Sequence, residues 1–137
     1  MIGLDNLDAI NYFMELARSN HNNSENENVY WDVLKTLGRI GANNSDVINY
    51  LLMLVNSGRE LERFWAITAI RQSLHGKLLP RIVTGLKKYL QEPFEDNISE
   101  RLSSFCYEII WRCAQNLPYP DFYQAWHQTI NYERGRI

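Results

Sequence analysis

The sequence reads as an all-α protein, an α-α superhelix of stacked helix pairs, on three grounds. Asp8-Ala9-Ile10-Asn11-Tyr12-Phe13-Met14-Glu15-Leu16 returns 38 residues later as Asp46-Val47-Ile48-Asn49-Tyr50-Leu51-Leu52-Met53-Leu54, with five identities in nine positions and three further apolar-for-apolar matches. Apolar residues recur at helical spacing, and no alternating stretch of convincing length reads as a strand. Start and stop signals divide the chain into helix-sized pieces. Repeat periods of roughly 34 to 47 residues belong to helical-hairpin arrays, where each unit completes its neighbour's core.

The first helix is expected from about Asp5 to Ser19, with Leu7, Ile10, Phe13, Met14 and Ala17 on one face. Asn20 to Asn28 is a polar, Asn-rich loop several residues longer than the equivalent junction near Asn56 to Arg59. Such an insertion either carries function or is a neutral solvated loop, since surface insertions cost little. Ser24 with Glu27 forms a capping-box signature for a second helix, which Gly41 ends. Ser45 is the candidate N-cap of the third helix. Ser57 with Glu60 is another capping box, opening a fourth helix rich in apolar residues from Leu61 to Leu74. Gly76 breaks the chain, and a fifth helix follows to about Gln91, with Pro80 tolerated in its first turn. Asn97 with Glu100 caps a sixth helix through Cys113; Pro118 stops it, and Pro120 suits the first position of a short seventh. The expected repeats cover about 5–41, 45–74 and 77–116, with a C-terminal cap at about 118–132, all in one domain spanning 1–137.

With 137 residues, 45% apolar and 22% charged, the chain has the composition of an ordinary globular domain, and 12% aromatic residues argues against disorder. A net charge of -2 supplies no overall attraction for nucleic acid or an anionic membrane. No apolar run approaches the roughly 20 residues of a membrane span, and no signal peptide opens the chain, so the expected address is the cytoplasm. Cys106 and Cys113, on one helix, would stand about 10.5 Å apart. That exceeds the reach of a disulfide, so they read as small buried apolar residues rather than a redox or metal pair.

The Trp-x2-Leu-Gly-x2-Tyr signature of tetratricopeptide units fails at Trp31-x2-Leu34-Lys35, and the ankyrin Thr-Pro-Leu-His tetrapeptide is absent. Leu37-Gly38-Arg39-Ile40-Gly41-Ala42-Asn43-Asn44-Ser45-Asp46-Val47-Ile48 instead resembles the junction of short bacterial HEAT-like repeats. Such repeats occur in phycobilisome-lyase-type proteins and, as the nearer likeness, in the C-terminal arrays of NACHT-domain NTPases. Phe105-Cys106-Tyr107-Glu108-Ile109-Ile110-Trp111-Arg112-Cys113-Ala114-Gln115-Asn116 and Pro118-Tyr119-Pro120-Asp121-Phe122-Tyr123-Gln124-Ala125-Trp126-His127 resemble the element that closes the NACHT arrays. The resemblance implies a HEAT-like solenoid of about three helix pairs plus a capping helix. It also implies a sensor or autoinhibitory role within a signal-transduction NTPase whose nucleotide chemistry lies on a separate domain. The P-loop of that domain needs Gly-x4-Gly-Lys-Ser/Thr, whereas Gly76-Lys77 is followed by Leu78. Any inherited activity is then binding alone.

On a helical wheel, Val47, Ile48, Leu51, Leu52, Leu54 and Val55 face inward, while Asn49, Tyr50, Met53 and Asn56 point away. Asn11, Tyr12 and Glu15 occupy the same outer arc in the first helix, as do Thr84, Lys87 and Lys88 in the fifth. By analogy with HEAT arrays these form a ladder on a concave partner-binding face, with Tyr50 and Met53 either contacting a ligand or packing against a neighbour. Lys77, Arg81 and Lys88, with Thr84 between them, form a basic stripe on the fifth helix that is either a solvated face or a site for an acidic peptide or phosphate backbone. The seventh helix carries Tyr119, Phe122, Tyr123, Trp126 and Ile130 on one face, as a helix sealing the last hairpin would. His21, His75 and His127 each look isolated, so metal binding and His-based nucleophilic catalysis lack a constellation.

The expected function is a non-enzymatic protein-interaction or sensor module. It would bind a protein or peptide, or another part of a parent NTPase, with no cofactor, no membrane partner and nucleic acid disfavoured. The alternative is a phycobilisome-lyase-like chromophore or accessory protein. Ala9, Tyr12 and Leu16 make a second apolar strip on the first helix, which points to self-association there.

Overall fold

The structure is a computed structural model that describes residues 7–21, 27–91, 93, 94 and 96–128. Among these residues it is all-helical, without a strand. The elements are α1 (Leu7–Asn20), α2 (Glu27–Ile40), α3 (Ser45–Ser57), α4 (Glu60–Arg71), α5 (Leu79–Leu86) running into a 3-10 turn (Lys87–Leu90), α6 (Asn97–Asn116) and α7 (Tyr119–His127). The expected start at Asp5, the Ser24 cap and Ile130 of the seventh helix lie outside the described residues. The chain divides into two compact units, Met1–Leu78 and Leu79–Ile137, where the sequence reading takes one array throughout.

In the first unit α1 pairs with α2 and α3 with α4, and the two hairpins join through α2 against α4. This packing is consistent with a helical repeat array. The inward side of the wheel assigned to α3 holds, with Val47, Ile48, Leu51, Leu52, Leu54 and Val55 all buried; of the outward residues Met53 is exposed, whereas Asn49, Tyr50 and Asn56 are half-buried. The inward residues meet Tyr30, Val33, Leu34 and Leu37 of α2 and Ala66, Ile67, Ala69 and Ile70 of α4 within one core. Each fully buried Leu or Ile side chain contributes about 1.5–3 kcal/mol relative to exposure, so this face dominates the unit's stability. In α1 the inner face is Ile10, Met14 and Ala17, whereas Leu7 is exposed at the helix start.

The expected starts of α3, α4 and α6 are each displaced. Asn44, not Ser45, caps α3: its side-chain oxygen accepts from the N–H groups of Asp46 at 2.9 Å and Val47 at 3.1 Å. Asn43 is engaged elsewhere, accepting from the Lys77 N–H at 2.8 Å. Ser57 does not open α4; it ends α3, donating its hydroxyl to the Met53 carbonyl at 2.8 Å. The cap of α4 is Arg59, whose N–H donates to Glu62 Oε1 at 2.9 Å. Asp96, one residue before Asn97, caps α6 by accepting the Ser99 N–H at 2.7 Å.

The α2–α4 contact is closest at Gly38. A Cβ built there overlaps the Ala69 carbonyl oxygen, so only the missing side chain allows the two backbones to meet. The Ser73 hydroxyl fastens the approach by donating to the Gly38 carbonyl at 2.8 Å. Arg63, also buried, donates Nε to the Val55 carbonyl at 2.7 Å and satisfies the end of α3.

In the second unit, α5 departs from expectation. It stops at Leu86 instead of continuing to Gln91, just after Gly85, whose helix propensity is poor. Thr84 and Lys87 are turned to a structural task instead. The Thr84 hydroxyl lies 2.8 Å from the Ala125 carbonyl and 3.0 Å from the Pro80 carbonyl, and the Lys87 ammonium donates to the carbonyls of Trp126 and Gln128. These bonds satisfy the C-terminal end of α7 and hold it on α5. The inner position of α7 belongs to Ala125; Tyr119 and Tyr123 are exposed and Phe122 and Trp126 half-buried. The aromatic face therefore does not seal the hairpin as expected, because a small residue makes the close contact and the wide rings flank it.

Gly38→Ala is expected to lower stability by about 2 kcal/mol or more, since overpacking here meets backbone rather than a movable side chain. Thermal unfolding followed by circular dichroism measures this; an unchanged midpoint would show that α2 and α4 can separate without cost.

Candidate functional site

The first unit buries a carboxylate. Glu62 in the first turn of α4 is only 1% exposed, and four donor groups converge on it. Oε2 accepts from the Tyr30 hydroxyl of α2 at 2.7 Å and stands 2.6 Å from Nδ1 of His21, at the end of α1. Oε1 accepts from the Arg59 N–H at 2.9 Å and from Arg59 Nε at 3.1 Å. Arg59 also reaches back with Nη2 to the carbonyl of His21 at 2.8 Å. Tyr50 of α3 closes the group, its hydroxyl 3.5 Å from that of Tyr30.

Burial pushes the Glu62 carboxyl upward, but the bonds from Tyr30 and from the Arg59 N–H and guanidinium, with the charge of His21, outweigh it. The net result lies below the ordinary 4.5. Burial, reinforced by hydrogen bonds to Tyr50 and Glu62, drives the Tyr30 phenol far above its usual range, so it serves as a donor. Tyr50 is raised as well, first by burial.

The residues singled out in the sequence scatter over these surroundings. Asn11, Tyr12, Glu15 and Met53 are exposed in the first unit and Asn49 is half-buried. Tyr50 is not a free ladder residue, because it is half-buried and turned to Tyr30. The basic stripe does not form on one helix: Lys77 precedes α5, Arg81 lies on it half-buried, and Lys88 falls in the 3-10 turn, above the Tyr89 ring. Thr84 is buried and bonded to Ala125, so it faces no ligand. His21 is not isolated, contrary to expectation. Its partner Glu62 lies on another helix in the next repeat, so no local spacing signals the pair; the one clue is an acidic residue falling on the apolar face of α4.

The second unit presents a different surface. Tyr107, Ile110, Trp111 and Ala114 of α6, with Phe122 and Trp126 of α7 and Leu90, line a cavity of about 360 Å³. Its walls carry no charged side chain, and Phe122 and Trp126 stack at 6.2 Å. Trp111 is 56% and Tyr107 63% exposed beside it. Cys106 and Cys113 point the other way: both are buried thiols outside any disulfide, and burial pushes the Cys113 thiol up to about 12. His127 is exposed, its ring 4.2 Å from Tyr123. No group of three or more His, Cys, Asp or Glu among the described residues could hold a metal ion, and no helix among them is long and apolar enough to cross a membrane.

For Glu62 the sign of the pH effect follows from its lowered value. The unfolded carboxyl takes up its proton near 4.5 and the folded one only at lower pH, so its contribution is complete above 4.5 and is lost as pH falls through the folded value. Glu62→Gln is expected to cost about 2 kcal/mol at pH 7. Denaturant titrations across the acid range should show the gap between wild type and variant closing below pH 4.5; a constant gap would mean that the charge is immaterial.

Residues 99–127, from the first turn of α6 through α7, match the family described as NACHT C-terminal Cysteine and Histidine-containing. No curated protein and no solved structure matches the chain. The match supports a NACHT-associated C-terminal region and covers the segment on which the sequence resemblance to the closing element rests. It contains both buried cysteines, His127 and most of the aromatic cavity.

Proposed function

We propose that this chain is a non-enzymatic interaction or sensor module of a NACHT-type signalling NTPase, built from HEAT-like repeats and acting in the cytoplasm by binding protein. The observation that carries this reading is the coincidence of the NACHT-associated match with the aromatic surface: residues 99–127 include Phe105, Tyr107, Trp111, Tyr119 and Tyr123, all exposed. Exposed Trp and Tyr beside an apolar cavity are the residue types on which protein interfaces concentrate their binding energy. The polar ladder of the first unit, reduced to Asn11, Tyr12, Glu15 and Met53, is a secondary surface for the same kind of partner. No cofactor enters this reading, and the mechanism is surface complementarity.

Two measurements test it. The purified chain should turn over neither ATP nor GTP above buffer. When mixed with the NACHT NTPase module of its own source, it should bind and alter that module's hydrolysis, with Trp111→Ala weakening binding roughly tenfold or more while the melting temperature holds. Steady turnover by the chain alone, or saturable bilin binding with an absorbance change, would overturn the reading in favour of an enzyme or a lyase-like accessory.

The strip on α1 is a second contact in the same proposal. Tyr12 is 61% exposed, with Ala9 and Leu16 half-buried beside it. Concentration-dependent self-association should weaken when Tyr12→Glu and Leu16→Lys are combined. Sedimentation that finds a monomer at high concentration, with the double variant strongly destabilised, would place the strip in the intramolecular core.

A further inference from the structure

The Glu62 cluster engages one ring nitrogen of a histidine whose side chain stays partly exposed. The ionised carboxylate 2.6 Å from Nδ1 of His21 fixes the imidazole proton on that nitrogen. The lone pair is then on Nε2. His21 keeps 39% of its side chain exposed, and no described residue bonds Nε2. A carboxylate behind an imidazole orients the ring and fixes which nitrogen carries the lone pair, as it does for metal-ligating and catalytic histidines.

Arg59, whose Nε is itself bonded to Glu62, adds a second feature. Its guanidinium lies against His21, with Nη2 2.8 Å from the His21 carbonyl, and is about half exposed. A cation beside an outward nucleophile favours an anionic group on that nucleophile. We propose that His21 is a covalent modification site whose Nε2 accepts a phosphoryl group. In the transfer, the Nε2 lone pair forms the N–P bond as the donor's bond to phosphorus breaks, and the leaving group departs with that electron pair. With phosphoramidate the leaving group is ammonia. The Nδ1 proton stays on the ring, and the Glu62 carboxylate beside it balances the positive charge of the phosphoimidazolium formed. Such a modification would place new charge at the point where the end of α1, α2 and the start of α4 meet, which suits a sensor.

His75 and His127 supply internal controls, since both are exposed and have no carboxylate partner among the described residues. The full chain is incubated with phosphoramidate at neutral pH, and the acid-labile phosphate is located by peptide mass spectrometry and followed by phosphorus NMR. His21 should react at least about tenfold faster than His75 and His127, and Glu62→Gln, with its near-ultraviolet spectrum unchanged, should bring it down to their rate. Equal or slower reaction at His21 in the wild type overturns the proposal, whether or not the variant folds. So does a folded Glu62→Gln protein in which the preference for His21 is undiminished.

Discussion

A buried negative charge sets the terms for the first unit. A carboxylate withdrawn from water costs several kcal/mol unless donors replace its hydration, and Glu62 is almost wholly withdrawn. Every replacement comes from a different place: the end of α1 gives His21, α2 gives Tyr30, and the turn before α4 gives Arg59 twice. Apolar packing between helices tolerates sliding, whereas these directional bonds do not. The hydrophobic faces therefore supply the stability and the carboxylate supplies the register. Arg59 makes the link explicit, since its bond to His21 spans 38 residues, one repeat period.

The close approach of α2 and α4 follows from the same constraint. Tyr30 can reach Glu62 only if the second helices of the two hairpins lie nearly in contact, and Gly38 against Ala69 provides that proximity. Ser73 and Arg63 then answer the carbonyls left over at helix ends. Among its described residues the second unit solves the equivalent problem without a buried charge. There Thr84 and Lys87 serve the last carbonyls of α7, and α5 gives way to a 3-10 turn from which Lys87 reaches them.

What could be read in the sequence divides along physical lines. The apolar rows of α3 follow a period of 3.6 that is local information, and all six inward residues fell where the wheel put them. Helix starts are also local, but a row such as Asn43-Asn44-Ser45 offers three competent caps, and the tertiary bond from Lys77 to Asn43 is information that no local pattern carries. Polar residues assigned to an outer surface were the least legible. Thr84 and Tyr50 have the composition of surface residues and are used as internal bonds, and His21 looked isolated because its partner sits on another hairpin. A wheel says which way a side chain points, not what has been brought to meet it.

The cysteines in the matched segment bear on which part of it can act. A neutral thiol is neither a nucleophile nor a metal ligand, and the Cys113 thiol, buried and pushed up to about 12, stays protonated at neutral pH. Cys106 is equally buried, one face of α6 being given over to the core through Leu102, Cys106, Ile109 and Cys113. The opposite face of the same helix carries Tyr107 and Trp111 into solvent. Helical periodicity thus separates the segment into a row that holds the helix in place and a row that faces solvent, and it is on this aromatic row that the proposed recognition rests.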